Sequence, residues 1–186
     1  MGLKALRGNI AFTDIPAITA MAEGTAIHQE QAADGVTTFL DGEDVSSAIR
    51  RPEISQAASD ISTISAVRRR LVKLQQEIGR DRGVVMEGRD IGTIVFPGAD
   101  IKVYMQASIG ERARRRRSEL AATGIATAAA ELEAQIAARD KQDSERDDSP
   151  LTCAPGAITI DTTGLTIEQQ VDRVVALAEA RLKGKE

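Results

Sequence analysis

Arg89 and Asp90 sit side by side just after an apolar run, Val84-Val85-Met86, and the dipeptide Glu87-Gly88. A guanidinium presents a planar fork of donors suited to phosphate and a carboxylate presents acceptors, so two neighbouring positions can hold the anionic and polar ends of one small ligand. The same pair also fits an ordinary ion pair in a surface turn. Two further stretches concentrate charge. Residues 112–117 hold five arginines in six positions, and Arg139 to Asp148 interleaves both signs. The clustered arginines of 112–117 make a local positive field compatible with a chain whose formal charge is −4. Small phosphates suit that distribution better than duplexes do.

The elements that must position these groups follow from periodicity. Val84 to Met86 reads as a short buried strand delivering Glu87 to Asp90 at its carboxyl end, where open α/β sheets bind ligands. Gly92 and Thr93 extend that loop, and Val95-Phe96-Pro97-Gly98 ends it in a turn. A second core strand is predicted over Ile101–Met105. Ser108 is placed to cap a helix from Ile109, with Glu111 as the carboxylate of a capping box. The arginines of that helix surround much of its circumference, so not all of them can face one ligand. A Gly-interrupted, Ala-rich joint over 121–130 separates it from a return helix through Leu132 and Ile136 that stops at Ser149-Pro150, an arrangement expected of a mobile lid. Ala157–Asp161 reads as a last strand, and Thr166 with Gln169 as the capping box of a closing helix through Val171, Val174, Val175, Leu177 and Leu182.

Upstream, residues 1 to about 23 carry apolar positions at helical spacing, with Asp14 before Ile15-Pro16 as a cap, which predicts two short helices. Gly35–Leu40 reads as a strand, Asp41-Gly42 as a turn and Glu43–Val45 as its return, a small hairpin or meander of the kind inserted into a core sheet. A short helix is expected over Pro52–Ile61, then a longer one capped by Ser65 that carries Arg68, Arg69, Arg70 and Lys73. By composition alone that run is a solvated basic face.

Composition excludes several classes. Aromatics are 2% of the chain, so stacking platforms for single strands are scarce and nucleic acid is not an expected partner. A single cysteine, Cys153, rules out an intrachain disulfide and a thiolate cluster for zinc; a buried or half-buried filler is expected there. His28 is the only histidine and is expected as a solvated loop or strand residue. No apolar run spans a bilayer and no secretory signal opens the chain, so a cytoplasmic protein without membrane contact is expected. Asp140, Asp143, Asp147 and Asp148 lack the order and spacing of a calcium loop, and the glycines of Gly83 to Asp90 lack the Lys-Ser/Thr of a phosphate loop.

Asp41-Gly-Glu-Asp-Val45, Gln56-Ala-Ala-Ser59, Val67-Arg68, Glu87 to Thr93, Val95-Phe-Pro97, Ala107-Ser108 and Arg139 to Arg146, taken in this order, resemble the bacterial cytidylate kinases, nucleoside monophosphate kinases acting on CMP and dCMP. The resemblance runs over nearly the whole chain. It implies an α/β fold with the three-layer parallel sheet of the P-loop nucleoside monophosphate kinase type, a small NMP-binding insertion and an arginine-rich lid. The expected division is 1–26 core helices, 27–80 NMP-binding insertion, 81–108 core strands with the substrate loop, 109–148 lid and flanking helices, and 149–186 core strand and closing helix. The first strand, the Gly-rich phosphate loop, the helix after it and an Asp-Ser-Gly-x-x-Tyr-Arg segment of the family pattern are expected to be absent, the chain starting just after that Arg.

The function so implied is transfer of the ATP γ-phosphate to CMP or dCMP in pyrimidine nucleotide metabolism, with Mg²⁺, by a monomer. The resemblance gives Arg89 the acceptor phosphate, Arg68, Asp90 and Arg146 the cytosine, Arg139 and Asp143 the pentose, and Ser59 the sugar. Arg115 of the lid would close over the donor phosphates of ATP, and Glu87 would act through a magnesium-bound water. No metal ligands are implied within the chain. The alternatives are a truncated, inactive CMP-binding module, a mispredicted start with the loop encoded upstream, and a small RNA-binding protein using the arginine helix.

Overall fold

A computed structural model describes residues 1–32, 35–80, 83–122, 124–146 and 148–184, and the chain divides into two compact units, Met1–Val84 and Val85–Glu186.

The first unit opens with helices α1 (Gly2–Arg7) and α2 (Ile15–Glu23). Asp14 caps α2 as its position before Ile15-Pro16 predicts, accepting from the Ala17 amide at 3.1 Å. An antiparallel meander follows: β1 (Ile27–Ala32), β2 (Gly35–Leu40) and β3 (Glu43–Asp44), in that order. Asp41 and Gly42 join β2 to β3 with φ of 52° and 88°. Two consecutive positive φ values make the turn whose twist matches the flanking strands, which is why Asp-Gly stands there. The strand β1 has no alternating apolar pattern to announce it; its polar residues are carried by pairing with β2, His28 opposite Phe39 and Gln29 opposite Thr38. Helices α3 (Pro52–Ile61) and α4 (Ser65–Gly79) complete the unit. Ser65 is the first residue of α4 and not its cap: Ile64 holds the cap position, without a side-chain hydrogen bond.

Apolar side chains hold this unit together. Ala5, Ile18, Ala22, Ile61, Ile64 and Val67 form one buried cluster between the helices, and Leu3, Leu40, Val45 and Ile54 form a second against the meander. Gly2 lets α1 approach α3 closely, since a Cβ there would lie 2.9 Å from backbone atoms of Ala57 and Ala58.

In the second unit a parallel pair, β4 (Val103–Gln106) and β5 (Ile158–Asp161), is set in register Val103 to Ile158 and Gln106 to Asp161. Parallel strands need a long crossover, here supplied by the antiparallel helices α5 (Ile109–Ala122) and α6 (Ala129–Glu145). Ala113, Leu120 and Leu132 are buried between them, with Ile136 packed alongside. Closing helix α7 (Ile167–Lys183) begins with the capping box of Thr166 and Gln169 that the sequence predicts.

Several expectations are corrected here. Val84 to Met86 is not a strand. No described strand pairs with it, and Val85 is 97% exposed, because an extended apolar run has no way to satisfy its backbone or bury its side chains without a neighbour. Gly92 and Thr93, expected to prolong the substrate loop, lie in a wide helical turn, Ile91–Val95. Ser108 does cap α5, accepting from the Glu111 amide at 3.2 Å, but the Glu111 carboxylate turns to Arg114 and Arg115 while the Ser108 amide donates to Thr163 Oγ1. α6 ends at Glu145, before Ser149-Pro150. Cys153 is exposed rather than buried. The joint predicted over 121–130 includes Thr123, and the acidic run includes Asp147; these two lie outside the described residues.

Candidate active site

The centre of the second unit's charged cluster is Asp143, in the last turn of α6, with only 5% of its side chain exposed. Its Oδ1 accepts from Arg146 NH1 at 2.9 Å, and its Oδ2 lies 3.3 Å from Arg89 Nε and 3.8 Å from Arg139 Nε. The Arg146 side chain is 7% exposed and its Nε also donates to the Ser149 carbonyl at 2.7 Å. A carboxylate and a guanidinium so far from water are retained because each offsets the other's buried charge, with one hydrogen bond between them. Ser149, at φ 55°, and the amide of Leu151, which donates to the Asp143 carbonyl at 2.8 Å, turn the chain back around this pair.

A second carboxylate, Asp140, lies one turn earlier on α6. Its Oδ2 pairs with Arg112 of α5 at 2.6 Å and its Oδ1 with Arg89 at 3.5 Å. Four arginines from three segments thus converge on two aspartates of one helix. Arg89 is held loosely, with contacts of 3.3 and 3.5 Å and 35% of its side chain exposed, and Arg139 more loosely still, at 3.8 Å and 48%. A guanidinium in that state has donors to spare for an anionic ligand.

The segment bearing Arg89 is fixed from the other side by the helical turn that follows. Asp90 precedes that turn; its carbonyl accepts from the Ile94 amide at 2.9 Å and from Thr93 Oγ1 at 3.2 Å. Val95 is buried, and Gly92 lies where a Cβ would press within 3.2 Å of the Ala154 methyl. Glu87 is exposed.

Of the site residues expected from sequence, Arg89, Arg139, Asp143 and Arg146 are brought together, and Asp90 adjoins them in the chain. Arg115 is not among them. It reaches across to the end of β5, donating to the Thr162 carbonyl at 2.6 Å and to Thr162 Oγ1 at 3.2 Å, and it shares Glu111 with Arg114. Those two guanidiniums, Arg114 first, hold the Glu111 carboxyl down at about 2. Arg116 pairs with Glu119 at 3.1 Å. The arginines of α5 therefore point several ways, as the helical period requires. Ser59 and Arg68 belong to the first unit: Ser59 is buried in α3, its carbonyl accepts from Ser62 Oγ at 2.7 Å, and Arg68 NH1 donates to the Ser62 carbonyl at 3.4 Å.

The sequence places Asp140 in a run suited to ion pairs and ligand contacts, as its pairs with Arg112 and Arg89 bear out for the ion pairs, but it does not single out Arg112 as the partner, although a signal exists. Leu132 and Ile136 are four apart on the face of α6 turned to α5, and the same step leads to Asp140 and on to Asp143 after three more. The apolar stripe ends in two carboxylates, so something cationic on α5 had to meet them. Among the described residues no group of three His, Cys, Asp or Glu side chains could hold a metal ion, and no helix is long and apolar enough to cross a membrane.

Comparison with known proteins gives the chain its relatives. A family model described as cytidylate kinase matches residues 1–180. The chain is 49% identical over 174 residues to a cytidylate kinase of Desulfitobacterium hafniense, a match covering 94% of this chain and 75% of that protein. It is 47% identical over 183 residues to a cytidylate kinase of Caldanaerobacter subterraneus subsp. tengcongensis, covering 98% and 80%. A bifunctional pantoate ligase/cytidylate kinase of a Synechococcus species is 46% identical over 176 residues, covering 93% of this chain and 33% of that protein.

Proposed function

The chain belongs to the cytidylate kinase family, and on that footing we propose that it is a phosphotransferase moving the γ-phosphate of ATP to CMP or dCMP. The observation that carries this reading is the convergence of Arg89, Arg112, Arg139 and Arg146 on Asp140 and Asp143. Phosphoryl transfer asks little covalent chemistry of a protein; it asks that two mutually repelling anions be aligned and their charge neutralised. Preorganised guanidiniums do both.

In this reading Arg89 takes the acceptor phosphate, its loosely held donors passing to phosphate oxygens as the nucleotide arrives. Arg139 and Asp143 hold the pentose. Asp90, Arg146 and Arg68 supply the mixture of acceptors and donors that cytosine, with an exocyclic amine and a ring carbonyl, requires, and Ser59 adds a sugar contact. Arg115 serves the donor phosphates, for which it has to leave Thr162, and Glu87 assists as an exposed carboxylate. Mg²⁺ would be held largely by the phosphate oxygens of ATP and would neutralise part of their charge.

The finer architecture is likewise a proposal. The parallel pair β4 and β5 would belong to a three-layer sheet of the P-loop nucleoside monophosphate kinase type, with 27–80 as the NMP-binding insertion, 109–148 as lid and flanking helices, and 1–26, 81–108 and 149–186 as core. A phosphate loop of the form Gly-x-x-x-x-Gly-Lys-Ser/Thr does not occur within residues 1–186. We place the protein in the cytoplasm, as a monomer.

The test is a coupled ADP-release assay with ATP, Mg²⁺ and CMP, on this chain and on the same chain extended upstream. Turnover in either is expected to fall by about two to three orders of magnitude in Arg89→Met, the scale of losing one preorganised donor to transferring charge. A loss below about threefold would remove Arg89 from that role. Turnover confined to the extended chain would mean that the donor phosphates are held from outside residues 1–186. No turnover in either, with CMP still bound, would leave a CMP-binding module.

A further inference from the structure

Asp140 is shared by two arginines from different segments, and its environment differs from that of Asp143. Asp143 is sealed with Arg146, their side chains 5% and 7% exposed. Asp140 faces solvent, with 26% of its side chain exposed beside Arg112 at 30% and Arg89 at 35%. One carboxylate oxygen lies 2.6 Å from Arg112 NH2 and the other 3.5 Å from Arg89 NH1. Two oxygens of a planar anion thus stand between two guanidiniums, where two oxygens of a phosphate would otherwise stand. A phosphate oxygen approaching Arg89 meets the negative charge of Asp140 as well as the donors it seeks.

We infer that Asp140 is a specificity-determining residue, a built-in counter-anion that screens Arg89 and Arg112 from small anions. The long contact to Arg89 is the one a ligand breaks, while the short contact keeps Arg112 aimed and neutralised. Inorganic phosphate, which has nothing else to offer, binds poorly against that competition. A nucleoside monophosphate overcomes it with the contacts of its base and sugar, so that discrimination rests on an introduced repulsion as well as on attraction. The inference depends on the reading above that Arg89 takes the acceptor phosphate.

The experiment is calorimetric titration of the intact chain, and of its Asp140→Asn, Asp140→Ser and Asp140→Glu variants, with inorganic phosphate, CMP and cytidine. Removing one like charge at this range in a solvent-facing site is expected to raise affinity for inorganic phosphate about five- to tenfold in the Asn and Ser variants. Asp140→Glu keeps the charge and is expected to match the parent, and affinity for cytidine, which has no phosphate, is expected to stay put in all three. A residue acting only through packing would shift melting temperature without moving the phosphate-to-cytidine ratio. Phosphate affinity that is unchanged or weaker in whichever of the Asn and Ser variants folds overturns the inference. The two readings separate cleanly: a parent chain that fails to prefer CMP over cytidine defeats the acceptor-site assignment, whereas a clear CMP preference without a phosphate gain defeats only the role given to Asp140.

Discussion

The unit Met1–Val84 seals Ile18, Ile61 and Val67 from water, whereas the unit Val85–Glu186 seals Asp143 and most of Arg146 and leaves no residue of α7 buried. Val171, Val175 and Leu182 of that helix are each about half or more exposed. Apolar burial is non-directional and tolerates many packings, so it makes a scaffold; a buried ion pair has one acceptable geometry, so it fixes where guanidiniums point. The unit with the weaker apolar interior is the one that holds the cluster of arginines on Asp140 and Asp143. A pair such as Asp143 with Arg146 is better understood as aiming side chains than as adding net stability.

The sharpest way to break this contrast is Asp143→Ala. It strands Arg146 without its carboxylate and is expected to cost about 3–5 kcal/mol, read by chemical denaturation together with loss of amide protection in α5 and α6. Replacing both partners by apolar residues, Asp143→Leu with Arg146→Met, is expected to restore stability to the parent level or above while CMP binding stays lost. Stability unaffected by Asp143→Ala would mean that charge does not organise this unit. In the first unit Ile18→Ala is expected to cost about 2–5 kcal/mol through lost transfer energy and the cavity left behind. There, no partner substitution should be needed to explain the loss; recovery on changing a charged residue would blur the distinction between the units.

The smallest effect is a pH dependence confined to α5. Glu111, held at about 2 by Arg114 and Arg115, binds a proton less readily folded than unfolded. Its contribution to stability is therefore complete above its ordinary value near 4.5 and disappears as pH falls through about 2. Melting curves of the parent and Glu111→Gln should differ above pH of about 5 and merge near about 2. A difference that persists unchanged at the acid end would assign the effect of Glu111 to something other than its charge.

Most of the local structure was legible in the sequence because local chemistry specifies it. Asp14 and Thr166 start helices by hydrogen bonds to amides within three residues, and Asp41-Gly42 turns a chain by the φ values those residues tolerate. Such interactions need no distant partner. Strand β1 had no pattern of its own and exists by pairing with β2, while Val84 to Met86 had the pattern and forms no strand among the described residues. A strand is a relation between segments, and alternation or apolarity in one of them states only half of it.

The candidate site divides along the same line. That this chain gathers arginines and carboxylates of a kind suited to a small anion followed from residue type and clustering, and the order of motifs pointed to the cytidylate kinase family. Which arginine meets which carboxylate did not follow. Five arginines in one helical stretch are equivalent in sequence, and only the packing of Ala113 and Leu120 against Leu132 rotates α5 so that Arg112 faces Asp140 while Arg115 turns to Thr162. Sequence alone determined the inventory of charges and the elements that carry them; the tertiary structure decided their pairing, because a helix's rotation about its axis is set by the apolar face it buries and not by the charges it displays.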